Sequence, residues 1–160
     1  MGAGKSTVGR LLADRLERPL VDSDIVIWRS MGMSAADVAQ TAGVERLHEV
    51  EALVLERALS RSAGAVITAA ASVADESELV ERLRRGRDFV GLLTARPDEC
   101  FKRSAASGHR RSMTAEEHAE LLGRRLESYR RAADIELDTT SLDAIEVTEL
   151  LINAIWVSWP

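Results

Sequence analysis

The stretch Gly2-Ala3-Gly4-Lys5-Ser6-Thr7 decides how the rest of the chain is read. It is the second half of a phosphate-binding loop, whose full pattern is Gly, four residues, then Gly-Lys-Ser/Thr. The pattern has a mechanical basis. Backbone N–H groups of a glycine-rich turn converge on phosphate oxygens, and the helix that follows adds the positive end of its dipole. In that role Gly2, Ala3, Gly4, Lys5, Ser6 and Thr7 hold a nucleotide, with Lys5 on the outer phosphates and the Ser6 hydroxyl on Mg2+. Of 21 basic residues only Lys5 and Lys102 are lysines, so a lysine at position 5 has a reason of its own. The plainer reading is a helix N-terminus that happens to contain Gly, Lys and Ser.

The first Gly of the full pattern would lie before Met1, and so would the strand that ordinarily feeds such a loop. That strand sits inside the sheet, and its loss would leave two neighbours with unpaired backbone groups. The expectation is therefore a natural start upstream of Met1. If Met1 is the true start, a damaged fold is expected, with the α-amino group close to the nucleotide.

Downstream, helical and strand patterns alternate. Ser6 to Leu16 reads as a helix with Val8, Leu11, Leu12 and Leu16 inward, and Pro19 to Asp22 as a short strand. Asp24 to Met31 reads as helical. Ser34 caps a short helix that Gly43 follows, and Val44 to Leu59 is a longer helix with Leu47, Val50, Leu53 and Val54 inward. Ala65 to Thr68 and Phe89 to Leu93 are buried strands, with a helix over Asp75 to Arg84 between them. Another helix starts near Pro97, and Ser104 to Met113 is an Arg-rich loop. Thr114 and Glu117 form a capping box for Ala115 to Ala133, Ile135 to Asp138 is the last strand, and Ser141 caps the last helix. Short apolar strands between helices predict an α/β fold: a parallel sheet with helices on both faces and ligands beyond the carboxyl ends of its strands.

The 160 residues amount to one domain, 1–160. With 46% hydrophobic and 29% charged residues the chain is globular, and its net charge of -5 makes it a poor binder of nucleic acid. No apolar run is long enough to span a membrane, and the first residues have neither signal-peptide nor transit-peptide character, so a secreted or integral membrane protein is not expected. The lone Cys100 reads as a core residue and suits the reducing cytoplasm. Trp156, Trp159 and Pro160 are expected to pack on their own domain.

Val21-Asp22-Ser23-Asp24 closes the second apolar segment. Alternate residues of a strand share a face, so Asp22 and Asp24 can both look at the phosphate loop. Mg2+ beside Asp22 would offset the repulsion and leave Asp24 to orient or deprotonate a hydroxyl. An ordinary turn with a helix N-cap uses the same residue types.

The order of these motifs resembles shikimate kinase, a family of small P-loop folds that move the γ-phosphoryl of ATP onto a hydroxyl of shikimate. The resemblance runs from Gly2–Thr7 through Asp22-Ser23-Asp24 and Gly43 to the Arg125…Tyr129 segment and Leu137-Asp138-Thr139. It implies a three-layer αβα fold, with ATP and Mg2+ as cofactors and the first strand missing from this chain. It also implies that Ser6 holds the metal with support from Asp22, and that Asp24 touches the substrate hydroxyls. Arg103 would lie beside the adenine, Arg110 would close a lid at about 104–114 over the phosphates, and Arg125 would pair with the substrate carboxylate. Lys5, Asp24 and Arg110 are then the catalytic set. A solvated basic loop or helix face is the plainer account of the arginines.

Three departures cluster on the acceptor side. His48 stands where the family has a second substrate-facing arginine, and loss of a charge-assisted bond removes roughly 1.5–3 kcal/mol. A partly exposed helix histidine is the alternative reading of His48. Ala69-Ala70-Ala71 replaces a three-glycine turn, so methyl groups around Ala70 narrow the pocket floor, or the turn has joined a helix. Arg110-Arg111 replaces Arg-Pro in the lid. The leading expectation is a monomeric, cytoplasmic kinase of the shikimate kinase type, acting on shikimate or a similar hydroxy acid without nucleic-acid or membrane partners. The rivals are a non-catalytic nucleotide-binding regulator and a kinase for gluconate or a nucleoside monophosphate.

Overall fold

The structure is a computed structural model describing residues 2–61, 64–106 and 114–158. Helix α1 (Lys5–Arg15) starts at Gly4, whose φ of 91° only glycine adopts without strain. Past Pro19 the chain extends as β1 (Leu20–Asp22) and turns at once into α2 (Ser23–Met31), because the Asp22 carboxylate accepts from the Asp24 and Ile25 N–H groups. Ser34 and Asp37 form a capping box that starts α3 (Ala35–Ala42), and Gly43 separates it from α4 (Val44–Arg61).

Strand β2 (Val66–Thr68) follows, then a 3-10 turn over Ala71–Asp75 and α5 (Ser77–Arg85). Strand β3 (Gly91–Thr94) leads to α6 (Pro97–Ala106). The Thr114–Glu117 capping box opens α7 (Ala115–Ala132), and β4 (Ile135–Asp138) and α8 (Ala144–Ser158) close the fold.

All pairing among the described strands is parallel. β1 lies on β2 with Val21 opposite Ile67, and β3 lies on β4 with Leu93 opposite Leu137. Where one sheet was expected, the described strands form two separate ladders. Helix α1 spans both. It packs on β1 and β2, and its Val8 and Leu12 join Leu93, Ile135, Leu137, Val147 and Leu151 in one apolar cluster. On the opposite face Ile67 of β2 packs with Leu55, Val73 and Leu79. The next residue, Thr68, points back to α1, where its methyl carbon would lie 2.2 Å from a Cβ at Gly9. Successive strand residues thus meet different helix layers, as the two-residue period demands.

Several expectations shift. The buried face of α4 is Glu51, Leu55 and Ala58, while Leu53 is 46% exposed. The last helix is capped by Asp143, which accepts from Ile145 and Glu146 N–H while Glu146 accepts from its own; Ser141 lies too far ahead. Ser104 belongs to α6, and most of the expected lid, with Arg110 and Arg111, lies outside the described residues. Cys100 is buried as expected, but Trp156 is 69% exposed instead of packed, and Trp159 and Pro160 fall outside the described residues. Among the described residues no helix is long and apolar enough to cross a membrane.

Candidate active site

Gly2 and Gly4 both take positive φ, 75° and 91°, and place the loop against α6. A Cβ at Gly2 would sit 2.2 Å from the Cys100 carbonyl oxygen, so only glycine fits there. Helix α1 starts without a side-chain cap and without an acid in its first turn. The first-turn N–H groups and the positive end of the helix dipole lie at this end, with Lys5 as the first helical residue and Ser6 and Thr7 exposed beside it. The loop is braced from below. Buried Thr139, just past β4, donates its hydroxyl to the Ala3 carbonyl at 3.2 Å. Thr139 in turn accepts from Arg103 twice, through its hydroxyl at 3.1 Å and its carbonyl at 3.0 Å. Arg103 is thus tied to the flank of the phosphate loop instead of standing free in a basic loop.

Asp22 and Asp24 do not share a strand face. The strand ends at Asp22, and Asp24 lies in the first turn of α2. Buried Asp22 accepts the two helix N–H groups on Oδ1, at 3.0 and 3.4 Å, and the Thr68 hydroxyl on Oδ2 at 2.8 Å. Among the described residues, three of its roughly four lone-pair directions are thus used. The N-cap reading applies to this residue. Asp24 is exposed, and its charge acts on Glu51.

A second cluster lies beyond the carboxyl end of β2. Glu51 of α4 is 9% exposed and accepts the Ser72 hydroxyl. Burial pushes its carboxyl above the ordinary carboxylate range; the Ser72 bond and the charges of His48 and Arg125 oppose that shift, and Asp24 adds to it. Arg125 of α7 is 6% exposed. Its Nε donates to both Asp75 carboxylate oxygens, at 3.0 and 3.1 Å, and its Nη2 donates to one of them. Burial opposes its charge, and the Asp75 bonds together with the nearby Tyr129 and Glu51 outweigh burial, so the guanidinium is held cationic. The Tyr129 hydroxyl donates to the Ala71 carbonyl at 2.6 Å, and burial lifts its pKa to about 12. Of the alanine segment only Ala71 has joined a helix: Ala70 is extended, with an ordinary φ of -63°, and the 3-10 turn begins at Ala71.

The structure thus gathers Asp24, His48, Ala70 and Arg125 around Glu51 and the 3-10 turn, while Ala3, Gly4, Lys5 and Arg103 meet at the head of α1. Glu51 and Asp75 were not among the residues expected at the site, and Thr139 entered only as part of the Leu137-Asp138-Thr139 segment. Glu51 had a signal: it lies four residues from both Leu47 and Leu55, so a charge interrupts the apolar stripe. Asp75 had none, because its partner is fifty positions away.

The chain matches the family model described as shikimate kinase over residues 1–156. A shikimate kinase of Symbiobacterium thermophilum is 39% identical over 114 residues, covering 71% of this chain and 64% of that protein. One from Rhodococcus erythropolis is 31% identical over 156 residues, 95% of this chain and 90% of its own length. Among solved structures, a shikimate kinase from Acinetobacter baumannii in complex with shikimate superposes with a TM-score of 0.91 at 26% identity, covering 99% of this chain and 90% of that one.

Proposed function

The chain belongs to the shikimate kinase family, and we propose that it holds ATP on residues 2–7 and shikimate against Arg125. Its activity is that of a shikimate kinase, an ATP phosphotransferase of aromatic amino-acid biosynthesis. The observation that carries the division of labour is the head of α1: two positive-φ glycines, no acid in the first turn and Lys5 at the opening.

The loop amides and Lys5 cradle the triphosphate and meet the charge that develops on its outer oxygens. Arg103, fixed by Thr139, flanks the nucleotide on the adenine side. The Ser6 hydroxyl and the Asp22 carboxylate suit Mg2+, which when bound neutralises phosphate charge. On the acceptor side Arg125 receives the shikimate carboxylate, with His48 and Ala70 lining the pocket. Asp24 orients the shikimate hydroxyl. That oxygen attacks the γ-phosphorus in line, the bond to the β–γ bridging oxygen breaks, ADP leaves, and the hydroxyl proton passes to the Asp24 carboxylate. Arg110 belongs to the same machinery as the lid cation and lies outside the described residues. The reading places a monomer in the cytoplasm, where the Cys100 thiol stays reduced.

ADP release with shikimate, gluconate or a nucleoside monophosphate as sole acceptor tests this. Shikimate alone should stimulate release, and Lys5→Ala should abolish it. Stimulation by either of the other acceptors, or full activity in Lys5→Ala, contradicts the proposal.

A further inference from the structure

The Arg125 fork already grips a carboxylate that belongs to the protein. Its Nε and Nη2 edge, one of the two edges that pair bidentately with a planar carboxylate, is turned to Asp75. Asp75 reaches it because the chain after β2 does not turn on glycine. Ala70 takes an extended conformation and the 3-10 turn runs from Ala71 to Asp75, with Asp75 as its last residue. Three side-chain pairings hold this turn in place: Tyr129 to the Ala71 carbonyl, Ser72 to Glu51, and Arg125 to Asp75. The pair is lopsided in burial. The Arg125 side chain is 7% exposed and that of Asp75 40%. The arginine is enclosed by protein, whereas the aspartate borders solvent.

We propose that Asp75 is an internal competitor for the acceptor carboxylate: shikimate binds by displacing Asp75 from Arg125, so Asp75 sets the acceptor KM. This rests on the reading of Arg125 as the carboxylate-receiving group. Asp75 touches no reacting atom and acts only through Arg125, as a positioning residue. In the free enzyme the guanidinium charge is neutralised by Asp75, and the neighbouring Asp24 and Glu51 supply no further positive charge. An incoming carboxylate therefore exchanges one charge-assisted pair for another and gains little from the fork. At position 48 of α4 the chain has a histidine and not a second planar fork for the acid group of the acceptor.

Asp75→Asn isolates the effect, since the amide oxygen still accepts from Arg125 while the competing charge is gone. Asp75→Ser serves as a second variant with the same expected direction. Steady-state kinetics should show the shikimate KM lowered by about tenfold or more, the range of one charge-assisted bond, with the ATP KM unchanged. Shikimate methyl ester, which carries no charge, should inhibit variant and parent equally. Calorimetric titration of shikimate into each protein should show the same gain in affinity without turnover. An unchanged or raised shikimate KM in active Asp75→Asn overturns the proposal and leaves the kinase reading intact. An equal gain for the ester also overturns it, because the change would then be one of space and not of charge. If parent and variants bind ATP but neither bind nor phosphorylate shikimate, the acceptor assignment falls and the proposal falls with it.

Discussion

Thr139 has one hydroxyl and two tasks. It donates to the Ala3 carbonyl under the phosphate loop and accepts from Arg103, and both bonds are buried or nearly so. Thr139→Val keeps the shape and removes both. Each unmet buried group costs about 1–3 kcal/mol. We expect lower stability in denaturant melts and an ATP KM raised about tenfold, with the shikimate KM unchanged; equal loss for both substrates would contradict the assignment of Thr139 to the nucleotide side. Glu51 makes a pH-dependent prediction. Its folded pKa lies above the ordinary 4.5 because it is buried. Its protonated form therefore favours the fold below that ordinary value, and the benefit is lost as pH rises through the raised value. Glu51→Gln keeps an acceptor for Ser72 without the charge. It should melt higher than the parent at pH 7, and the difference should vanish toward pH 4, the lower end of the titration range. A difference independent of pH would show that the effect is packing.

At the scale of elements, helix starts carry the most local information. The Thr114 and Glu117 box stands as read from the sequence because both partners lie within four residues. The last helix shows how close the competition runs. Ser141 and Asp143 are both favoured capping types, and only Asp143 has an acid, Glu146, three residues on to close the box. Asp143→Ala should cost about 1 kcal/mol in a urea melt and Ser141→Ala close to nothing; the reverse order would contradict the observed cap. The glycine turn and the start of α1 were legible for the same local reason, through glycines and one lysine in six residues. The face of α4 was not. Apolar periodicity pointed to Leu53, yet the helix buries Glu51, because Ser72, twenty-one positions later, supplies the hydrogen bond that permits it. Asp22 and Asp24 were misread in the same way. Strand alternation assumes the strand continues, and the Asp22 carboxylate ends it by capping the next helix.

Across the whole molecule, α1 is the shared part. It carries the phosphate loop at one end, packs on β1 and β2, and joins α8 in the cluster that covers β3 and β4. Val147 of α8 is 0% exposed in that cluster. Val147→Ala should lower the unfolding free energy by about 2–3 kcal/mol from lost burial and the cavity left behind. Unfolding followed by far-ultraviolet dichroism and by tryptophan fluorescence should still coincide, since one helix couples both ladders; separate transitions would contradict that coupling. The parallel class and the helices on both faces were readable from the alternation of short apolar runs and helices. The division into two ladders was not, because pairing is decided between segments as far apart as Leu20 and Val66. The measurement that bears most directly on all of this is a calorimetric titration of magnesium-ATP into the parent protein and Lys5→Ala. Saturable one-site binding in the parent, weakened at least tenfold in the variant, is the predicted result. Equal affinity in the two proteins, or no binding in either, would contradict a triphosphate seated on residues 2–7.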